Sequence, residues 1–221
     1  MKLYIRVNYN YCVMADTCLN RKIQLSGYIA NVDSDEFIEG AITIRDGVIE
    51  KIERCKVENP QYILPGLVDS HVHIESSMLT PVEFARVAVR NGLVAVVADP
   101  HEIANVMGVE GVRFMMDNAE HSKLKFFWGV PSCVPAAPFD ISGATLNSDD
   151  IGELLADPRV THLGEMMNFP GVLNDDSEVH AKIGKALQLG KLVDGHAPGL
   201  GGDDLKKYIA CGISTDHEAI D

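Results

Sequence analysis

From residue 62 onward one pattern repeats, and it limits what this chain can fold into: a short apolar run, a polar loop, then a stretch of helical periodicity. The apolar runs fall at Ile63–Asp69, Leu93–Ala98, Lys125–Val130, Val160–Gly164, Lys191–Asp194 and Gly212–Thr215. Several are apolar almost throughout, as strands covered on both faces are. Helices are expected between them, the first opening at Thr80-Pro81-Val82-Glu83 and others over 108–120, 149–156, 176–190 and 203–211. In the first, Thr80 is placed to cap, Pro81 suits the first helical position and Glu83 closes a capping box. Such a cap is worth about 1 kcal/mol. Strands alternating with helices build a parallel sheet flanked on both faces. A dinucleotide-binding doubly wound sheet would carry G-x-G-x-x-G after its first strand, whereas Pro65-Gly66-Leu67 stands here. The expected fold class is α/β, a (β/α)8 TIM-type barrel with about six of its strands present.

Residues 1–62 follow a different rule. Gln24–Val32 and Phe37–Arg45 read as strands, and Asp46-Gly47 is a strong hairpin signal leading into Val48–Ile52. Lys2–Val7 alternates as a further strand would. The expected organisation is a β segment over 1–62, belonging to a small β-sandwich domain, followed by the barrel portion over 63–221.

In a (β/α)8 barrel the reactive groups gather at the C-terminal ends of the strands. The first strand runs into His71-Val72-His73, where residues i and i+2 share a face and aim two imidazoles together. The second runs into Asp99-Pro100-His101-Glu102 and its loop, and the fourth into Gly164-Glu165. The fifth runs into Asp194-Gly195-His196 and the sixth into Asp216-His217-Glu218. Singly, each has an ordinary explanation: a satisfied strand-end histidine, a solvated loop carboxylate. Jointly, four histidines and one carboxylate at the same end of successive strands make a metal set of His71, His73, Glu165, His196 and His217. Five ligands with one anionic bridge suit two divalent ions about 3.5–4 Å apart that activate a shared water. Nitrogen and oxygen ligands without thiolate are compatible with manganese, iron or zinc. His121, His162 and His180 fall elsewhere and read as surface or structural.

The balance of 32 acidic against 19 basic residues, a net charge of −13, leaves no basic footprint for a nucleic-acid partner. Five scattered cysteines with no C-x-x-C pair fit reduced thiols. No run approaches 18 apolar residues and the N-terminus has no long apolar core, so no membrane partner is expected. The expectation is a soluble, cytoplasmic protein, with homo-oligomerisation left open.

Pro65-Gly66-Leu67-Val68-Asp69-Ser70-His71-Val72-His73 resembles the first-strand signature of the amidohydrolase superfamily. Longer motifs narrow the resemblance: Ile74–Pro81, Ala98–Val106, Pro131–Ala136, Gly164–Val172, Val193–Gly199 and Ser214–Glu218. From about residue 24 onward they resemble the adenine-deaminase family within it. That resemblance implies water attack on C6 of adenine, a small-molecule substrate, giving hypoxanthine and ammonia at a two-metal site most often run on Mn2+, with Fe2+ or Zn2+ as alternatives. It implies His71 and His73 on one ion and His196 and His217 on the other. Glu165 would bridge them, where many relatives use a carboxylated lysine. Asp99, His101 and Glu102 become candidates for substrate contact or proton shuttling, with bracing of the ligands as the rival role.

Other cyclic amidohydrolases, of dihydroorotase or imidazolonepropionase type, would usually place a lysine at the bridge. A non-catalytic metal-binding barrel relic is the third reading. His73-Ile74-Glu75 also matches the H-x-E of cytidine-deaminase-type zinc enzymes, but Pro131-Ser132-Cys133 lacks the second cysteine of P-C-x-x-C. The family further implies strands seven and eight and an aspartate ending the eighth, to which no residue before Asp221 corresponds. Loss of that proton acceptor would cost roughly 10²–10⁴ in rate, so these residues alone are expected to be unstable and inactive.

Overall fold

The computed structural model describes residues 5–7, 10–12, 22–137 and 139–218. The chain divides into two compact units, Met1–Val68 with Ala88–Val94, and Asp69–Val87 with Ala95–Asp221.

In the first unit, β1 (Ile5–Val7) and β2 (Asn10–Cys12) pair antiparallel. Part of the strand expected over Lys2–Val7 is therefore seen; residues 2–4 lie outside the described residues. β3 (Lys22–Asn31), β4 (Glu36–Arg45), β5 (Val48–Arg54) and β6 (Gln61–Ile63) make a sheet in the order β5-β4-β3-β6. The β4–β5 hairpin turns on Asp46 and Gly47, both at positive φ (51° and 78°), the twist a two-residue hairpin needs. Alternation puts Ile29, Ile42 and Ile44 on one face as a small core, with Ile23, Leu25, Ile38 and Ile63 packed against it. Tyr28, Phe37 and Tyr62 cluster on the other face.

The long sheet comprises β7 (Leu67–Val72), β8 (Leu93–Ala98), β9 (Lys125–Val130), β10 (Val160–Met166), β11 (Leu192–Gly195) and β12 (Thr215–Asp216). Each strand neighbours the next in sequence, with parallel pairing from β8 through β12. Helices fill the crossovers: α1 (Pro81–Arg90), α2 (His101–Ala119), α3 (Ser148–Leu155), α4 (Phe169–Leu173), α5 (Ser177–Gln188) and α6 (Gly202–Ala210). This is the strand order of the first six units of a (β/α)8 barrel, and the α/β expectation holds.

Local chemistry explains the helices. In α3, Asn147 accepts from the N–H groups of Asp149 and Asp150 while Asp150 answers to the Asn147 N–H, a complete capping box. In α5, Asp176 caps Glu178 and Val179, and the i, i+4, i+7 set Val179, Ile183 and Ala186 is buried. α1 is capped from outside: Asn118 Oδ1 accepts from Val82 N at 2.9 Å, and Glu83 pairs forward with Arg86 at 2.6 Å.

Two of the differences from the sequence reading bear on how the site is built. The apolar run expected as one strand over Ile63–Asp69 is broken at Leu64-Pro65-Gly66, giving β6 and β7 separately. Pro65 has no N–H for a ladder, and a Cβ on Gly66 would lie 2.1 Å from Val94 Cγ1. The stretch after β8 is not a loop, because α2 starts at His101 rather than at residue 108. Gly108, at φ 60° and ψ −142°, kinks it. The Asn105 carbonyl there turns to accept from Gly143 N (2.7 Å) and Ala144 N (3.2 Å). The first turn of α2 carries His101 and Glu102 to the strand-end cluster, and Gly108 interrupts the helical periodicity beyond it.

Burial ranks the α5 contacts. Ile183→Ala, at a position 2% exposed, is expected to cost about 2–5 kcal/mol in chemical denaturation. Leu187→Ala, at a position 45% exposed, is expected to cost about 1 kcal/mol or less.

Candidate metal centre

The strand ends of the second unit converge on one carboxylate. Glu165, 3% exposed, lies near the end of β10. Its oxygens face different neighbours. Oε1 is 3.3 Å from His73 Nε2 and 3.2 Å from His101 Nδ1. Oε2 is 2.9 Å from His196 Nδ1, 3.1 Å from His217 Nε2 and 3.9 Å from His71 Nε2. The strand spacing of His71 and His73 brings their Nε2 atoms within 2.8 Å of each other. The rings of His71 and His217 stack at 3.7 Å between centroids. All five residues of the expected metal set thus meet around one point, and His101 meets them there.

Glu165 reaches that point through a bulge. Between Leu163 and Met166 β10 advances three residues while β11 advances two, from Val193 to Gly195. An extra residue of this kind bends the strand and re-aims a side chain. The approach is tight: a Cβ on Gly164 would lie 2.2 Å from Asp99 Oδ2, and that same oxygen accepts from Glu165 N at 3.1 Å. The next ligand is set in a similar way. A Cβ on Gly195 would lie 2.7 Å from Asp216 Oδ2, which accepts from Ala197 N at 3.1 Å. Beside each of these two ligands, an aspartate from another strand occupies the space a glycine leaves and takes an N–H close by.

Asp99 is therefore placed behind the ligands, and its backbone carbonyl lies 2.8 Å from His73 Nδ1. Glu102, in the first turn of α2, receives the Ser76 hydroxyl at 2.5 Å, and Glu75 accepts from Ile103 N of the same turn at 3.2 Å. Asp194, left without a role by sequence reasoning, lies 3.4 Å from His217 Nδ1 and 3.9 Å from His71 Nδ1 through Oδ2. Its signal was present: it stands two residues before His196 and shares that strand face. His162 is buried, its Nδ1 2.9 Å from Thr161 Oγ1, and is structural, whereas His121 is exposed. His180, half-buried, lies 3.8 Å from Asp175.

The charges are strongly coupled. Burial works against ionisation of Glu165, but His101 beside it, with His73 and His196, outweighs burial and holds its pKa down at about 2. Burial also opposes charge on His101; the Asp99 and Glu165 carboxylates, 3.7 and 3.2 Å away, overcome it and raise its pKa from 6.5 to about 10. Burial, then the neighbouring His217 and His73, push His71 down.

This donor set fits divalent cations. Among the described residues Glu75 Oε2, Asp99 Oδ1, His101 Nδ1 and Glu102 Oε2 are buried without a hydrogen-bond partner, a costly state for polar atoms. Ligand atoms of His71, Glu165 and His217 lie within 4.8 Å of one another, as do those of His73, His101 and Glu102, and those of His196, His217 and Glu218. Imidazole and carboxylate together suit borderline and hard divalent ions.

The Amidohydrolase family profile matches residues 62–220. The chain belongs to the amidohydrolase family. The adenine deaminase of Methanosarcina mazei is 55% identical over 195 residues, 88% of this chain and 35% of that protein. That of Sulfurovum sp. is 54% identical over 194 residues, 88% of this chain and 36% of that protein. That of Borreliella burgdorferi is 46% identical over 192 residues, 86% and 35% respectively. This amidohydrolase chain spans about a third of the length of the curated relatives it matches. N-acetyl-D-glucosamine-6-phosphate deacetylase from Mycobacterium smegmatis shares its fold at TM-score 0.58 and 13% identity, covering 88% of this chain and 55% of that one. N-isopropylammelide isopropylaminohydrolase from Burkholderia multivorans does so at TM-score 0.52 and 14% identity, covering 86% and 56%. Among the described residues no helix is long and apolar enough to cross a membrane.

A pH dependence follows from His101. Its folded pKa lies above the ordinary 6.5, so its stabilisation is complete below 6.5 and is lost as pH rises toward 10. The metal-free protein is expected to lose stability across that window. His101→Gln should flatten the loss, as read by denaturation midpoints at a series of pH values.

Proposed function

We propose that the protein is an adenine deaminase, converting adenine and water to hypoxanthine and ammonia at a site for two divalent cations. The chemistry rests on one observation: a buried carboxylate whose two oxygens face separate groups of imidazoles, as a bridging ligand does. The substrate rests on relatives named adenine deaminase at 46–56% identity. In this reading residues 1–62 belong to a small β domain and 63–221 to the catalytic barrel.

By the resemblance His71 and His73 would hold one ion and His196 and His217 the other, with Glu165 as the shared ligand; the geometry sets His73 with His101 at Oε1 and His71 with His196 and His217 at Oε2. Mn2+ is preferred, with Fe2+ or Zn2+ as alternatives that the ligand types also accept. Bound ions supply Lewis acidity and bring the pKa of water toward about 7. The chain supplies the rest. Glu165 remains an anion because its pKa lies near 2, so it is available as a ligand throughout the neutral range. His101 lies on the edge of the same cluster, its Nδ1 3.2 Å from Glu165 Oε1, and is placed to carry the proton that attack on the ring requires at nitrogen and then on departing ammonia. Glu102 lies beside His101 and His73 and is placed to orient the purine edge or relay that proton. Asp99 fixes the geometry, through the Glu165 amide and the His73 ring.

The test is ammonia release from adenine by the full natural protein loaded with Mn2+. Turnover is expected, with Glu165→Gln and His71→Ala each lowering kcat by at least about 10², and metal chelation abolishing it. A folded, metal-loaded protein that leaves adenine untouched overturns the assignment.

A further inference from the structure

A bulge strips backbone groups of their ladder partners, and here it does so beside the carboxylate on which the site converges. The groups in question are the N–H and C=O of Glu165 and the C=O of Met166. Side chains from three other segments take them. Asp99 Oδ2 accepts from Glu165 N at 3.1 Å. Ser132 Oγ, just beyond β9, donates to Glu165 O at 2.5 Å, an oxygen that also accepts from Met167 N at 3.0 Å. The Tyr208 hydroxyl, from α6, donates to Met166 O at 3.0 Å and accepts from His196 N at 3.0 Å.

Asp99 is 3% exposed and Ser132 and Tyr208 are 1% exposed, so water does not substitute freely for these bonds. Ser132 is itself anchored, its carbonyl accepting from the buried Lys182 Nζ at 3.1 Å. The Tyr208 bond does what the ladder cannot. The last pair of β10 and β11 is Met166 with Gly195. Beyond it the strands part, and the phenol oxygen ties the residue after Glu165 to the amide of His196.

We infer that Ser132 and Tyr208 are positioning residues for the metal centre: their hydroxyls lock the β10 bulge that aims Glu165, and Tyr208 fixes the separation of Glu165 from His196. The inference rests on the two-cation reading of the site. A carboxylate shared by two ions tolerates displacement of only about half an ångström, so slack at the bulge reaches the ions directly. Neither residue touches substrate in this account.

The experiment titrates the metal-free full natural protein with Co2+, following visible absorption and calorimetric heat. The wild type is expected to take up two equivalents. Tyr208→Phe and Ser132→Ala, each shown folded by circular dichroism, are expected to weaken the second equivalent about 10–100-fold and to alter the Co2+ absorption bands. Ser132→Thr, which keeps the hydroxyl, should restore both. Ile183→Ala serves as the control, lowering stability away from the site while leaving affinity and bands as in the wild type. Two equivalents bound by Tyr208→Phe and Ser132→Ala with wild-type affinity and bands would overturn the positioning role and leave the metal reading intact. A wild type that binds no Co2+ overturns both.

Discussion

The structure turns on one buried negative charge. Glu165 is 3% exposed, and an uncompensated carboxylate at such a position is expensive. Its compensation comes from imidazoles just past the ends of β7, β11 and β12 and from His101 at the start of α2. None of those elements is near Glu165 in sequence. Only a parallel arrangement that brings successive strand ends to one side can assemble the set, so fold and site impose the same requirement. The pKa values of Glu165 and His101 move in opposite directions for that reason.

Holding the charge in place is a backbone problem as much as a side-chain one. Gly164 and Gly195 leave room for Asp99 and Asp216, and each aspartate takes an N–H beside the ligand concerned. Ser132 and Tyr208 answer the carbonyls on the other side. Asp194 lies beside His217 and His71. The polar groups around the centre thus form a linked framework, and a buried network of this kind specifies a single geometry only when its members are satisfied. Among the described residues Glu75 Oε2, Asp99 Oδ1, His101 Nδ1 and Glu102 Oε2 are buried without a hydrogen-bond partner, and ligand atoms of His73, His101 and Glu102 lie within 4.8 Å of one another.

Much of this was legible in the residues. Apolar runs at Leu93–Ala98 and Lys125–Val130 match β8 and β9 at both ends, because strands covered on both faces leave an unbroken apolar signature. The pair His71 and His73 was legible because strand geometry makes alternate residues neighbours. The β6–β7 break was harder, since Leu64-Pro65-Gly66 continues an apolar run while Pro65 removes a donor. The early start of α2 was hidden by the polar side chains that face the site. Tyr208 had no signal at all: a tyrosine within an amphipathic helix reads as ordinary core, and its hydroxyl bonds depend on strands distant in sequence. The β10 bulge was likewise invisible, being a relation between two strands rather than a property of one.

The central claim is that Glu165 is shared between two divalent ions. The most direct measurement is electron paramagnetic resonance of the full natural protein carrying two equivalents of Mn2+. The account predicts the broad, temperature-dependent spectrum of an exchange-coupled pair, giving way to isolated ions in Glu165→Gln. A six-line spectrum of independent Mn2+ in the wild type, unchanged by that substitution, would contradict it.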